Sequence, residues 1–405
     1  MKNYPLIFAN SNFMRLWGGQ IFSQISLNIL NFVLAVSIYD ATKTNQSVAF
    51  LVISFGLAAF LFGAPAGVWA DHLDKRYTLF YSTIVRFALT FFLIFITGNI
   101  WATIALSFVL NSVSQLFFPT EAASIPILVK DENLLTANSL FTMSLYTSQL
   151  IGYVTAGIIL QKLGFNNTIY VLSAMFLIAS VFVLGIKFPK STREKLDIKE
   201  INEQIFSRFK DGLKFIKKSR KVQKALLYLG LSQVMVGMFV TLLPGYAVEI
   251  LHLKVEDTSL YLIAPVAVGM AVGAIMLGSN GKGKNRRKII AAGAYGAGIA
   301  LFLLSFDKWL FESLTALAVL FMFFAGLFNS FIVIINNTQL QRRTSEEYMG
   351  RIYGVQQVAV TMSAVLPVLL AGYFADIIGV NKVIFFVGVI IILSHLVIRY
   401  LYRND

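Results

Sequence analysis

Among the charged groups in or against long apolar runs of this chain are three carboxylates and one arginine whose placement allows chemistry of few kinds. Arg86 lies about nine residues into one run, roughly 14 Å along a helix rising 1.5 Å per residue. Glu121 lies toward the inner end of the next run, and Asp40 and Glu249 close two others. A cation at such depth is costly unless it meets a partner or an aqueous cavity. A carboxylate whose exposure changes with conformation takes up and releases a proton, so Glu121, Asp40 and Glu249 are candidates for coupling proton movement to another movement. Amides accompany them. Gln20, Gln24 and Asn28 repeat every four residues, with Asn31 close to the same face, and Asn111 and Gln115 repeat that spacing. Gln233, Asn329, Asn336, Asn337, Gln356 and Gln357 occur in later runs. Amides with few charges, beside Phe and Tyr, suit an amphipathic, bulky ligand; amides also tie helices to one another.

Several chemistries are excluded. There is no cysteine, so thiol catalysis, disulfides and cysteine-bound metals drop out. The three histidines, His72, His252 and His395, are scattered, and no acid, base and metal constellation gathers in sequence. No G-x-x-x-x-G-K-(S/T) loop occurs, which argues against an ATP-driven pump. No enzyme activity, cofactor or metal is expected.

The elements that position these residues are membrane spans. The chain is 57% hydrophobic and 13% charged, and runs of about 20 apolar residues recur along it, each long enough to cross roughly 30 Å of hydrocarbon. They read as about twelve helices, near 12–39, 46–70, 77–97, 100–128, 134–161, 168–186, 222–249, 257–278, 288–305, 312–340, 350–376 and 380–401. The expected fold is therefore an all-α polytopic membrane protein. The N-terminal stretch carries no signal-cleavage pattern, so the first span is expected to stay.

The net charge of +14 reports orientation rather than nucleic acid. With the N-terminus inside, only Lys43, Lys162, Lys254, Lys308 and Lys382 of the 34 Lys and Arg fall on outer turns, and Arg86 lies within a span. That is the positive-inside rule, which puts both termini in the cytoplasm of a cell-membrane protein. The longest polar interruption, 187–221, separates an N-terminal six-helix bundle (1–186) from a C-terminal one (222–405). Within it Ile198, Ile201, Ile205, Phe209, Leu213 and Ile216 recur at steps of three and four between Lys and Arg, an amphipathic helix expected on the inner leaflet.

The halves echo one another. "PAGVWADHLDKRYTLF" aligns with "MLGSNGKGKNRRKIIA", so that Gly67 falls on Gly278 and Arg76 on Arg287, while Asp71 falls on Lys282. Such repeats usually place a ligand site at the interface between the halves. Gly63-x-x-x-Gly67 and Gly269-x-x-x-Gly273 are flat stripes suited to close helix packing.

The loop Gly67-Val-Trp-Ala-Asp71-His72-Leu-Asp74-Lys75-Arg76 resembles the G-x-x-x-D-(R/K)-x-G-(R/K)-(R/K) signature of the major facilitator superfamily, with His72 for a basic residue and Asp74 for glycine. Asp74 matches a variant in the drug-efflux branch that holds macrolide exporters and the enterobactin exporter. "FFPTEAASIPILVKDENLLTANSL", "FKDGLKFIKKSRKVQKAL" and "QRRTSEEYMGRIYG" are similar to connections of the same branch. The resemblance implies two pseudo-symmetric six-helix bundles. It also implies a secondary transporter that exports small amphipathic, drug-like or macrolide-like compounds by alternating access and proton antiport, acting as a monomer.

The resemblance further implies a conformational latch built from Gly67, Asp71, Lys75, Arg76, Glu121 and Arg351. In it Asp71 meets the inner end of span eleven or Arg351, and Lys75 or Arg76 meets Glu121. Arg86 competes for Glu121. Spans one, four, seven and ten would line the cavity, making Gln20, Gln24, Asn28, Asn31, Asn111, Gln115, Gln233, Asn329 and Asn336 its candidate wall. Ser107 stands where many proton-coupled relatives carry arginine, and Gly152 to Gly157 lacks the antiporter Gly-Pro. Export or flipping of one metabolite, siderophore or lysolipid, and a non-transporting sensor, are the alternatives.

Overall fold

A computed structural model describes residues 4–96, 98–188, 210–211, 213–280, 286–306, 314–343 and 346–403. Among them are eleven helices long and apolar enough to cross a membrane. One of these, within Leu134–Leu184, is about 75 Å of helix at 1.5 Å per residue, more than twice a bilayer core. It contains two crossings, because Gly164 adopts φ 73° and ψ 172°, a conformation open mainly to glycine. Span one reads out the reversal. Trp17 meets Ser144 and Asn28 meets Gly152, so the first part runs parallel to span one. Ser26 bonds to Leu172 and Gly18 faces Phe182, so the second part runs antiparallel. The turn expected over 162–167 is thus reduced to a single non-helical residue.

Spans one to four are Ser11–Thr42, Asn45–His72, Lys75–Phe92 and Ile100–Leu128. Spans five and six are the two parts of Leu134–Leu184. Span seven, Arg220–Gly245, continues into a π-helical turn at Tyr246–Ile250. Span eight pairs a π-helical turn, Ser259–Ile263, with Ala264–Asn280. Spans nine to twelve are Arg286–Ser305, Leu314–Arg343, Glu346–Ile378 and Val380–Leu401. Side chains pointing away from the core are as apolar as those within it, Phe92, Ile275, Leu366 and Leu393 among them. A helix apolar on all sides belongs in lipid, where its own backbone bonds satisfy every peptide group.

The chain forms two compact units, Met1–Leu34 with Leu57–Phe206, and Ala35–Gly56 with Ser207–Asp405. The hairpin 35–56, made of the end of span one and the start of span two, belongs to the second unit. In the first unit, Phe13, Leu16, Phe117 and Ile125 center one core. In the second, Met238, Tyr246, Met322, Val368 and Ile384 center another, which Ala49 of the hairpin joins.

Glycines in the second unit let backbones touch. A Cβ on Gly269 would collide with the carbonyl oxygen of Phe323, and one on Gly326 with that of Val266, so spans eight and ten pack without side chains between them. Most of the amphipathic segment read over 198–216 lies outside the described residues. Its end is helical at 213–218, where Phe215 and Ile216 pack against the core of Val222, Leu229, Leu340 and Ile352. The echo at 278–287 also falls largely outside them.

Candidate functional site

In the first unit the deepest charges are a buried pair. Arg86 on span three is 0% exposed and Glu121 on span four 1%. Span three starts at Lys75 and span four ends at Leu128, so both residues stand several turns inside their helices. The Arg86 guanidinium lies 4.0 Å from the Phe117 ring centroid and 5.2 Å from that of Phe176, a cation against two aromatic faces. Phe117 precedes Glu121 by one helical turn on the same face, and the carboxylate and the guanidinium interact electrostatically. Arg86 Nε donates to the Ser82 carbonyl at 3.3 Å. Both terminal nitrogens of Arg86 and Glu121 Oε1 are buried without a hydrogen-bond partner. Among the described residues the two make no ion pair within 4.0 Å. Buried polar atoms are rarely left this way, and where they are, the site usually stores strain, exchanges water or carries function.

The other two candidate carboxylates stand differently. Asp40 is exposed and pairs with Lys43 at 2.5 Å, one turn away, an arrangement worth little energetically. Glu249 is also exposed and accepts a hydrogen bond from the Tyr39 hydroxyl at 2.8 Å. Glu121 alone of the three is withdrawn from solvent.

The loop between spans two and three is arranged mainly by helix ends. Asp74 Oδ1 accepts from the backbone N–H of Arg76 at 2.9 Å and of Tyr77 at 3.2 Å, capping span three. The loop's departure from glycine at this position therefore has a physical role, and an Asp just before an apolar run is the signal that would have found it. Arg76 Nη2 donates to the Leu184 carbonyl at 2.9 Å, a cation on the end of span six. Lys75 Nζ reaches the Ala70 carbonyl at 3.4 Å. Among the described residues, a Cβ on Gly67 would meet nothing within 4 Å. The side chains of Asp71 and Arg351 lie outside the described residues. Asp74→Ala should cost about 1 kcal/mol, read as a lower unfolding midpoint in detergent.

The amides divide by whether another helix engages them. Gln20 is fully buried and spent on span five: its Nε2 donates to the Phe141 carbonyl at 3.1 Å and its Oε1 accepts from Ser144 Oγ at 2.8 Å. Asn28 turns back to the Gln24 carbonyl at 2.7 Å, and Asn111 to that of Ser107 at 2.9 Å. Gln24 is buried too, Asn31 Oδ1 is buried without a partner, and Gln115 is half-buried beside Gly63. In the second unit Asn329 Oδ1 accepts from Ser232 at 2.7 Å, joining spans seven and ten. Asn336 bonds to the Ile332 carbonyl at 2.7 Å within its helix. Gln356 Nε2 reaches Asn337 Oδ1 at 3.4 Å. Gln233 and Gln357 are exposed. No group of three or more His, Asp or Glu that could hold a metal ion occurs among the described residues.

Comparison with known proteins agrees with this architecture. The chain is 24% identical to macrolide efflux protein A of Streptococcus pyogenes, over 94% of this chain and 93% of that protein. It is 23% identical to the uncharacterized MFS-type transporter YfiS of Bacillus subtilis, over 97% and 94%. Among solved structures it resembles a peptide transporter POT, with a TM-score of 0.75 at 12% identity over 97% of this chain and 94% of that one. It also resembles the nucleoside transporter NupG, with a TM-score of 0.72 at 13% identity over 96% and 99%. At such identities these two likenesses speak for the fold alone. Residues 16–366 match the Major Facilitator Superfamily, and with its helices folded as those of such transporters are, the chain belongs to that superfamily of multi-pass membrane transporters.

Proposed function

We propose that this transporter exports small amphipathic compounds across the bacterial plasma membrane by alternating access, with proton antiport through Glu121 and both termini in the cytoplasm. Chain-long similarity to a macrolide efflux protein supports the substrate class and direction. The observation that carries the coupling is the Arg86–Glu121 pair, buried with its polar atoms unmatched. A carboxylate so placed gains or loses its proton when water reaches it, and the adjoining guanidinium answers each change in charge. The two six-helix bundles, 1–186 and 222–405 with the linker between, would supply the moving bodies, and the loop Gly67–Arg76 with Glu121 and Arg351 the latch. The unspent amides, Asn31, Gln115 and Gln233, are the best candidates for meeting the compound.

Purified protein in liposomes with a trapped pH dye tests this. Adding macrolide-like and other amphipathic compounds singly should move protons, and Glu121→Gln should abolish that movement. Compound flux without proton movement in the wild-type protein would remove the coupling and leave transport standing.

A further inference from the structure

We infer that Asp376 is the jaw of a clasp that holds hairpin 35–56 against spans seven and eleven and must open when this face of the transporter opens. The inference rests on the alternating-access reading above.

Asp376 lies near the end of span eleven, and all of its observed bonds go to the first turn of span two. Its Oδ1 accepts from the Asn45 backbone N–H at 2.7 Å and from Asn45 Nδ2 at 3.0 Å, and its Oδ2 accepts from the Gln46 N–H at 3.0 Å. Two of the three, the Asn45 and Gln46 N–H groups, are donors that a helix start leaves unpaired, and they carry the positive end of the helix dipole. An anion that takes both, with the Asn45 side-chain amide as a third donor, makes charge-assisted bonds, the strong kind.

The hairpin is gripped at a second point, where Tyr39 at the end of span one donates to Glu249 in the π-helical turn of span seven. The surfaces beneath are cut to receive it. A Cβ on Gly245 would fall on the Asn45 side chain. One on Gly372 would stand 2.8 Å from Ala49 Cβ and 3.0 Å from the Asn45 carbonyl oxygen.

The chain's own course gives the clasp its meaning. It enters the second unit at Ala35 and leaves it after Gly56, so the hairpin is tethered at both ends to the first unit while packed in the second. Release of Asp376 is the local event that frees the hairpin from the second unit. Charge-assisted bonds suit such a part better than apolar packing does. Water repays much of their loss when they open, so the closed and open forms stay near in energy.

The test uses the natural absence of cysteine. Ala49→Cys places a thiol in the hairpin, and Ala294→Cys places one in span nine, both at 0% exposed positions. Each is labelled with a hydrophilic thiol reagent in nanodiscs, first with Asp376 intact and then with Asp376→Asn. A second variant, Asn45→Pro, guards against misfolding of the first. It removes two of the three donors yet suits the first position of a helix, and Thr44 before it is already non-helical.

Labelling at Ala49→Cys should rise about tenfold in either variant, the factor that corresponds to roughly 1.4 kcal/mol, while Ala294→Cys keeps its rate. Equal rates at Ala49→Cys with and without the substitutions would overturn the clasp. Acceleration at both reporters would overturn it too, since that outcome is a loosened unit. Flux of the amphipathic panel by the wild-type protein is scored separately. Absent flux with a responsive hairpin would reject the export reading and keep the clasp, whereas normal flux with an unresponsive hairpin would do the reverse.

Discussion

Arg86→Leu is expected to lower stability by about 3–5 kcal/mol, the usual cost of removing one member of a buried charge pair. Leucine fits the aromatic surroundings of Phe117 and Phe176, so the loss arises at Glu121, which stays buried without the charge that interacts with it. The companion experiment separates this cause from simple repacking. Arg86→Leu with Glu121→Gln together should recover most of the lost stability, because the uncompensated charge is gone. Folded yield after detergent extraction and the unfolding midpoint in detergent both report it. A double variant no better than the single one would show that Arg86 acts through the Phe117 and Phe176 rings and its bond to Ser82, not through the carboxylate.

Gly269→Val should be at least as damaging, and Gly67→Ala nearly silent in folding. At Gly269 the first added carbon already overlaps the Phe323 carbonyl and lies 2.9 Å from the Leu327 nitrogen. Backbone cannot rotate aside as a side chain can, so spans eight and ten must part, at about 3 kcal/mol or more. At Gly67 the added carbon meets nothing within 4 Å among the described residues. Gly67→Ala should give wild-type monodispersity on size exclusion and a wild-type midpoint, so any effect of it on transport would have to come from movement of the loop. Two stripes with the same spacing therefore differ in use, and the difference lies in the neighbor each one faces.

That contrast marks where the sequence stops being legible. Spans are set by local hydropathy over about 20 residues, and so the expected boundaries near 46–70, 100–128 and 380–401 lie within a few residues of Asn45–His72, Ile100–Leu128 and Val380–Leu401. The break between spans five and six was also readable, as a turn over 162–167, though its economy was not: one left-handed glycine, Gly164, suffices. Partners are a different matter. Gln20 belongs to an evenly spaced amide ladder, yet its bonds go to residues 121 and 124 positions away. Periodicity gives a face, while the partner depends on which helix arrives there. Asp376 shows this most clearly. It reads as an ordinary carboxylate at a span end, and its three donors lie some 330 positions earlier in the chain. Asp74 was the opposite case, legible as a helix cap but read first as a departure from a loop motif.

The reversals at Gly164 and Gly379 also bear on how this chain can change its length. Each turns two spans about with a single left-handed glycine, φ 73° and 93°, and the flanking residues are already in helix on both sides. An inserted segment at either point would lengthen a turn that now holds two helix ends one residue apart, and so loosen the pairing of the spans it joins. The stretch with room for additions is instead the polar sequence between the sixth and seventh spans, ahead of the helix that packs at 213–218. Growth and regulatory additions to this transporter are therefore better accommodated in the connection between its sixth and seventh spans than at Gly164 or Gly379.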